Sequence, residues 1–170
     1  MDETSGIDPG VHQRPGGEPL VGILCGSASD LPVMQKAAAM LSLFEVPFEM
    51  HVMSAHRSPD LVDEYSRLAE DRGLKVVVCG AGRAAHLAGA VSARTTLPVI
   101  GVPLGTSHLG GADALYSTVQ MPRGVPVATV GIEAAENAAV LAAQIVALGD
   151  EDLRRRLREF KESLAEGFTL

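Results

Sequence analysis

Tryptophan is absent from this 170-residue chain, and aromatic residues make up only 4% of it. The core must therefore be aliphatic and closely packed, since few large rings are available to fill space. Lysine is nearly as scarce: Lys36, Lys75 and Lys161 are the only three. No Gly-Lys-Ser/Thr phosphate loop occurs, which disfavours ATP hydrolysis. A phospho-receiver module needs clustered acids after its first strand and a lysine after its fifth. Only Asp30 approaches the first place, and no lysine falls between Lys75 and Lys161. Positive charge is short overall, with a net charge of −7 and a pI near 5.2. Nucleic acid is therefore excluded as the main partner, because phosphate backbones demand a basic face.

Only two cysteines occur, Cys25 and Cys79, and both lie inside apolar strand-like runs. There they act as small hydrophobes, so neither a disulfide framework nor a metal site is expected. No apolar run reaches membrane-spanning length, and residues 1–19 lack the apolar centre of a signal peptide. These absences point to a soluble cytoplasmic protein in a reducing compartment. Residues 1–19, rich in glycine and proline and containing His12, read as a flexible leader.

What is present is an alternation. Apolar runs at Leu20–Cys25, Leu74–Cys79, Leu97–Val102 and Val125–Ile132 read as strands buried on both faces. A less apolar run, Val46–Met53, reads as a strand nearer a sheet edge. Helices are expected from Asp30 to about Phe44, over Asp60–Arg72, from His86 to about Arg94, and over Ala112–Gln120. Ser29 or Asp30 can cap the first, and Pro32 fits its first turn. Two more helices finish the chain. Ala134–Leu148 is apolar nearly all round, suiting deep burial or a subunit contact, whereas Asp150–Glu166 carries Leu153, Leu157, Phe160 and Leu164 on one face. The expected fold is α/β: a three-layer, doubly wound, parallel five-stranded sheet of order 2-1-3-4-5 with additional C-terminal helices.

In that order the loops after strands 1, 2 and 3 border one crevice, and the chemically suggestive residues fall in those loops. Gly26 to Asp30 offers backbone amides and the hydroxyls of Ser27 and Ser29 to a phosphate, with Asp30 left for sugar hydroxyls or capping. Ser54-Ala55-His56-Arg57 sets a proton carrier beside an anion clamp. His56 is the leading general acid or base. His51, inside a strand, reads as structural. Gly80-Ala81-Gly82-Arg83-Ala84-Ala85 admits two readings. It fits the loose dinucleotide fingerprint, but the next strand ends Val102-Pro103-Leu104-Gly105 without the required acid. Alternatively its backbone approaches a planar ligand, with His86 on the next helical turn.

Taken together, Gly26-Ser27-Ala28-Ser29-Asp30, Ser54-Ala55-His56-Arg57, Gly80-Ala81-Gly82 with Ala84-Ala85-His86-Leu87, Pro98-Val99 with Gly101-Val102-Pro103, and Val119-Gln120-Met121-Pro122 with Gly124-Val125-Pro126-Val127 resemble the 5-(carboxyamino)imidazole ribonucleotide mutases of purine biosynthesis. The similarity runs in order from about Leu20 to Phe160. It implies a flavodoxin-like subunit in a homo-octamer, with residues 20–166 as one catalytic domain. It implies no metal or organic cofactor and no partner beyond a small ribonucleotide substrate and other copies of the chain. The implied reaction moves a carboxylate from the exocyclic nitrogen to carbon 4 of the ring, by decarboxylation and recarboxylation. A related branch carboxylates the aminoimidazole ribonucleotide directly with free carbon dioxide.

The resemblance implies residue roles as well. His56 matches the proton shuttle, Ser27, Ser29 and Arg57 the phosphate site, and Asp30 the ribose-binding carboxylate. Ser54, Ala55, Gly80, Ala81, Gly82 and His86 match positions around the imidazole and carboxylate. Two departures stand out: Arg83 replaces a usual glycine and Ala88 a usual proline. The C-terminal helix is expected to lay its apolar stripe either on its own subunit or on a neighbour.

Overall fold

Val21–Cys25 forms β1, buried at every position, and it occupies the interior of the sheet because nothing along it needs water. The computed structural model describes residues 17–105 and 108–168. Most of the expected leader, His12 included, lies outside the described residues. After β1 come a short 3₁₀ turn at Ala28–Asp30 and α1 (Leu31–Leu43). There follow β2 (Phe48–Val52), α2 (Pro59–Leu68), β3 (Val76–Gly82) and α3 (Leu87–Ser92). The chain continues through β4 (Val99–Leu104), α4 (Ala112–Val119), β5 (Ala128–Thr129), α5 (Ala135–Val146) and α6 (Glu151–Ala165).

All neighbouring strands pair in parallel, in the order β2-β1-β3-β4-β5. The less apolar β2 is an edge strand, as its composition implies. Alternate residues of each strand feed opposite cores. Val21, Ile23, Val76 and Val78 pack with Met34 and Leu41 of α1, Ala139 and Ala142 of α5, and Leu153 of α6. Leu24, Val77 and Cys79 pack on the other face with Val62 and Tyr65 of α2, Val91 of α3 and Ala114 of α4. Gly22 is required here, because a Cβ at that position would collide with the Tyr65 hydroxyl.

The alanine-rich α5 is deeply buried. Ala135, Ala138, Ala139, Ala142 and Ala143 have no exposed surface, and their small size lets the helix approach both α1 and the sheet. Asp150 caps α6 by accepting the Leu153 amide at 2.9 Å. Leu153, Leu157 and Phe160 are buried within their own chain, where Phe160 meets Phe44 edge-to-face at 5.0 Å. Each such side chain contributes about 1.5–3 kcal/mol by leaving water. The stripe on α6 therefore serves its own subunit in this structure.

Three boundaries differ from expectation. β3 runs through Gly82, so Gly80, Ala81 and Gly82 are strand residues paired with Val102, Pro103 and Leu104 rather than loop residues. β1 ends opposite Gly80, but small side chains do not prevent pairing where β4 continues alongside. The glycines thus form no dinucleotide-type turn, and the helix after them spans only six residues. β5 shrinks to two residues because only Ile100 and Gly101 offer it a partner. α2 ends at Leu68 rather than Arg72.

Candidate active site

Beyond the carboxyl ends of β1, β2 and β3, three segments enclose a cavity of about 620 Å³. All the residues singled out above as site candidates line it except Gly80. Gly80 lies behind the wall: its carbonyl accepts the Gly26 amide at 3.0 Å, and a Cβ there would strike the Met34 side chain. Its role is to let the first and third segments sit close together.

The first segment is organised by Ser27, whose Oγ accepts the Ser29 amide at 3.4 Å and lies 3.0 Å from the Ser29 hydroxyl. Ser27 thus caps the 3₁₀ turn leading into α1, whereas α1 itself has no side-chain cap from Asp30 at its N-cap. The Asp30 side chain instead accepts the Ser29 hydroxyl at 3.3 Å. Its carboxyl is only 4% exposed. Burial raises its pKa, opposed by hydrogen bonds from Ser29 and the Ser27 backbone and by the charge of Arg57.

The second segment joins β2 to α2 and is locked by two serines. The Ser54 amide donates to Ser58 Oγ at 3.1 Å, and the Ser58 hydroxyl donates to the Ser54 carbonyl at 3.1 Å. The Arg57 amide donates to Ser54 Oγ at 3.3 Å. Pro59 then opens α2 with a preset φ. Held this way, Arg57 sends Nη2 to the Gly26 carbonyl at 2.8 Å, tying the second segment to the first.

His56 reaches across to the third segment. Its Nε2 lies 2.8 Å from Nδ1 of His86, and the rings meet edge-to-face. One ring nitrogen donates and the other accepts, with the tautomer deciding which. This contact was not readable from the chain, because thirty residues separate the partners. Arg83 stands on the same wall at φ 58, the left-handed region. That conformation suits glycine better than a residue with a Cβ. Ala88 is buried in the first turn of α3, where the missing N–H of a proline would be tolerated.

A second polar cluster escaped the reading of the chain. Glu49, only 2% exposed, accepts the Tyr65 hydroxyl at 2.7 Å and pairs with Arg72. Burial would raise its pKa, but the nearby His51, hydrogen bonds from Tyr65 and Arg72, and the Arg72 charge outweigh burial and hold it at about 2. A glutamate within an apolar strand was the available signal. His51 lies 3.6 Å from this carboxylate, in keeping with a structural role. Burial pushes the Cys25 thiol up to about 12 and the Cys79 thiol higher still, so neither supplies a thiolate. Among the described residues no group of three or more His, Cys, Asp or Glu could hold a metal ion.

Residues 20–167 match the AIR carboxylase family. The chain belongs to this family. Within it, the chain is 52% identical over 148 residues to the N5-carboxyaminoimidazole ribonucleotide mutase of Pyrococcus abyssi, covering 87% of this chain and 85% of that one. It is 53% identical to the mutase of the same name from Bacillus subtilis, covering 86% and 91%. The phosphoribosylaminoimidazole carboxylase of Candida glabrata is 52% identical, but the match spans only 25% of that longer protein. The crystal structure of Treponema denticola PurE superposes with a TM-score of 0.79 at 33% identity, covering 87% of this chain and 92% of that one. Its likeness places the AIR carboxylase chain described here in the flavodoxin-like group of α/β folds.

Proposed function

We propose that this chain is an N5-carboxyaminoimidazole ribonucleotide mutase of purine biosynthesis, forming 4-carboxy-5-aminoimidazole ribonucleotide. The His56–His86 contact, in a cavity that also offers Arg57 and two serine hydroxyls, supports this reading most directly. It supplies a proton carrier and an anion clamp within one site.

In the proposed reaction, Ser27, Ser29 and Arg57 hold the phosphate, and Asp30 binds the ribose hydroxyls. Ser54, Ala55, Ala81 and Gly82 line the imidazole, with Gly80 supporting them from behind. The exocyclic N–carboxylate bond breaks, carbon dioxide leaves without the bonding electrons, and the nitrogen takes a proton from protonated His56. The electron-rich carbon 4 then attacks the retained carbon dioxide, and His56 recovers the proton from that carbon. Atoms and charge balance with no oxidant, reductant or nucleotide triphosphate. His86 orients His56 through its Nδ1 and fixes which nitrogen carries the hydrogen. Excluding water keeps the released carbon dioxide from escaping before it is recaptured.

The mutases are the relatives matched over most of both chains, and they favour this reading over direct carboxylation. Exposed Tyr116, Val119 and Leu148 are consistent with the homo-octamer implied by the resemblance, to be checked by light scattering. Cytoplasmic residence is proposed with it. No helix of the described residues is long and apolar enough to cross a membrane.

The test is isomerisation of N5-carboxyaminoimidazole ribonucleotide by purified protein without ATP or added metal. Bicarbonate-dependent carboxylation of aminoimidazole ribonucleotide, with no isomerisation, would replace the reading by direct carboxylation.

A further inference from the structure

We infer that Arg83 is a specificity-determining residue that grips the migrating carboxylate and so makes this site prefer carboxylated over uncarboxylated ribonucleotide. The inference rests on the mutase reading and deepens it.

Three observations lead there. Arg83 lies on the cavity wall, three residues before His86, whose ring meets the proton-carrying His56. Among the described residues the Arg83 guanidinium has no hydrogen-bond or ion-pair partner, in contrast to Arg57, which is tied to Gly26. Its backbone sits at φ 58, where any residue with a Cβ is disfavoured and glycine is the natural occupant. Two other non-glycine residues share that region, Glu45 and Glu133, but neither lines this cavity. A strained position that retains a long cation at a ligand cavity is one where the side chain has a use.

The division of charge within the site indicates which group Arg83 takes. The carboxylated substrate has two anionic ends, a phosphate and a carboxylate on or near the ring. Arg57 is committed to the Gly26–Asp30 segment, beside the hydroxyls of Ser27 and Ser29, which marks the phosphate end. Arg83 belongs to the segment that carries His86, and the proton moves to and from ring-side atoms next to the migrating carboxylate. Arg83 is exposed at the mouth of the cavity, free to swing onto a ligand, and its guanidinium fork matches a carboxylate in a bidentate manner. It would also hold a carboxylate product against release, so its contribution falls on affinity for carboxylated ligands.

The test compares two ligands that share the phosphate and differ in the carboxylate: aminoimidazole ribonucleotide and its 4-carboxy derivative. Calorimetry on wild type, Arg83→Met and Arg83→Gly gives both dissociation constants, with melting temperature and solution mass recorded alongside. Loss of the charge should weaken the 4-carboxy ligand at least about tenfold, the scale of one charge-assisted hydrogen bond. Aminoimidazole ribonucleotide should change less than about twofold in the same variants. Arg83→Gly removes the strained conformation, so it should melt no lower than wild type and separates folding from recognition. Arg83→Lys should recover part of the preference. Equal weakening of both ligands would place Arg83 at the phosphate and overturn the inference. Unchanged affinities, with or without a change in mass, would overturn it too. A wild type that binds the 4-carboxy ligand but isomerises nothing would instead refute the mutase reading, a separate outcome.

Discussion

His56 Nε2 and His86 Nδ1 lie 2.8 Å apart, although one side chain comes from the loop after β2 and the other from the end of the β3–α3 turn. These strands do not pair with each other: β1 lies between them. The histidines therefore bridge over the carboxyl end of β1, above the segment that carries Ser27, Ser29 and Asp30. A ligand seated on that segment would lie beneath both imidazole rings.

Replacing His56 with asparagine removes the titratable ring while keeping a polar side chain of similar reach. Turnover should fall by about 10²–10⁴ or more, the range expected for a positioned general acid or base. Affinity for aminoimidazole ribonucleotide should stay within a few-fold of wild type. Steady-state rates paired with calorimetry would check this, and a variant that failed to fold would assign His56 a structural role instead.

Arg57→Met keeps much of the aliphatic stem but removes both the bond to the Gly26 carbonyl and the positive charge. Ribonucleotide binding should weaken by about 10- to 100-fold, as for loss of a charge-assisted phosphate contact. Carboxylated and uncarboxylated ligands should suffer alike, which distinguishes Arg57 from Arg83.

Asp30 keeps a carboxylate in a nearly buried place, at a cost that appears as its raised pKa. An acid with a raised folded-state pKa destabilises the fold once pH exceeds its unfolded value, because the folded state resists losing the proton. Asp30→Asn should therefore melt higher than wild type at neutral pH and bind ribonucleotide more weakly. Thermal melts at pH 4 and pH 7 would test the sign, since the advantage of Asn should shrink on acidification. A lower melting temperature at pH 7 would mean that the hydrogen bonds to the carboxylate outweigh its desolvation.

Glu49 behaves in the opposite way. Its folded-state pKa of about 2 lies below its ordinary value of 4.5, so its contribution is complete above the ordinary value and fades as pH falls toward 2. Denaturant midpoints of wild type should drop across that window more steeply than those of Glu49→Gln. At neutral pH the Gln variant should be less stable by about 1–3 kcal/mol, because the charge-assisted bond to the partly exposed Arg72 is lost. Parallel curves for the two proteins would show that other acids govern the acid limb.

Much of the fold is legible along the chain. Runs such as Leu20–Cys25 and Val76–Cys79 have no polar face and are short, as interior strands of a covered parallel sheet are. The helical pattern of Ala134–Leu148 likewise announces a buried helix, and α5 is one. The chain is less legible where a local pattern competes with strand pairing. Gly80–Gly82 looks like a turn, yet β4 stays alongside and continues the ladder. The Glu49 cluster is not legible along the chain, because its partners Tyr65 and Arg72 come from α2 and the segment after it.

The chain by itself determined the parallel sheet, its strand order and the three segments that meet at its carboxyl edge. Hydrophobic runs and periodicity report burial, and burial is a local property of each element. Only the tertiary structure decided that His56 meets His86, that Arg57 bonds to Gly26, that Gly80 withdraws behind the wall, and that Arg83 adopts a glycine-like conformation. Those relationships join residues from separate elements. They depend on how the register of β1 against β3 and the loops beyond the strands set side chains to within a few tenths of an ångström, and no periodicity in one stretch of chain encodes that distance.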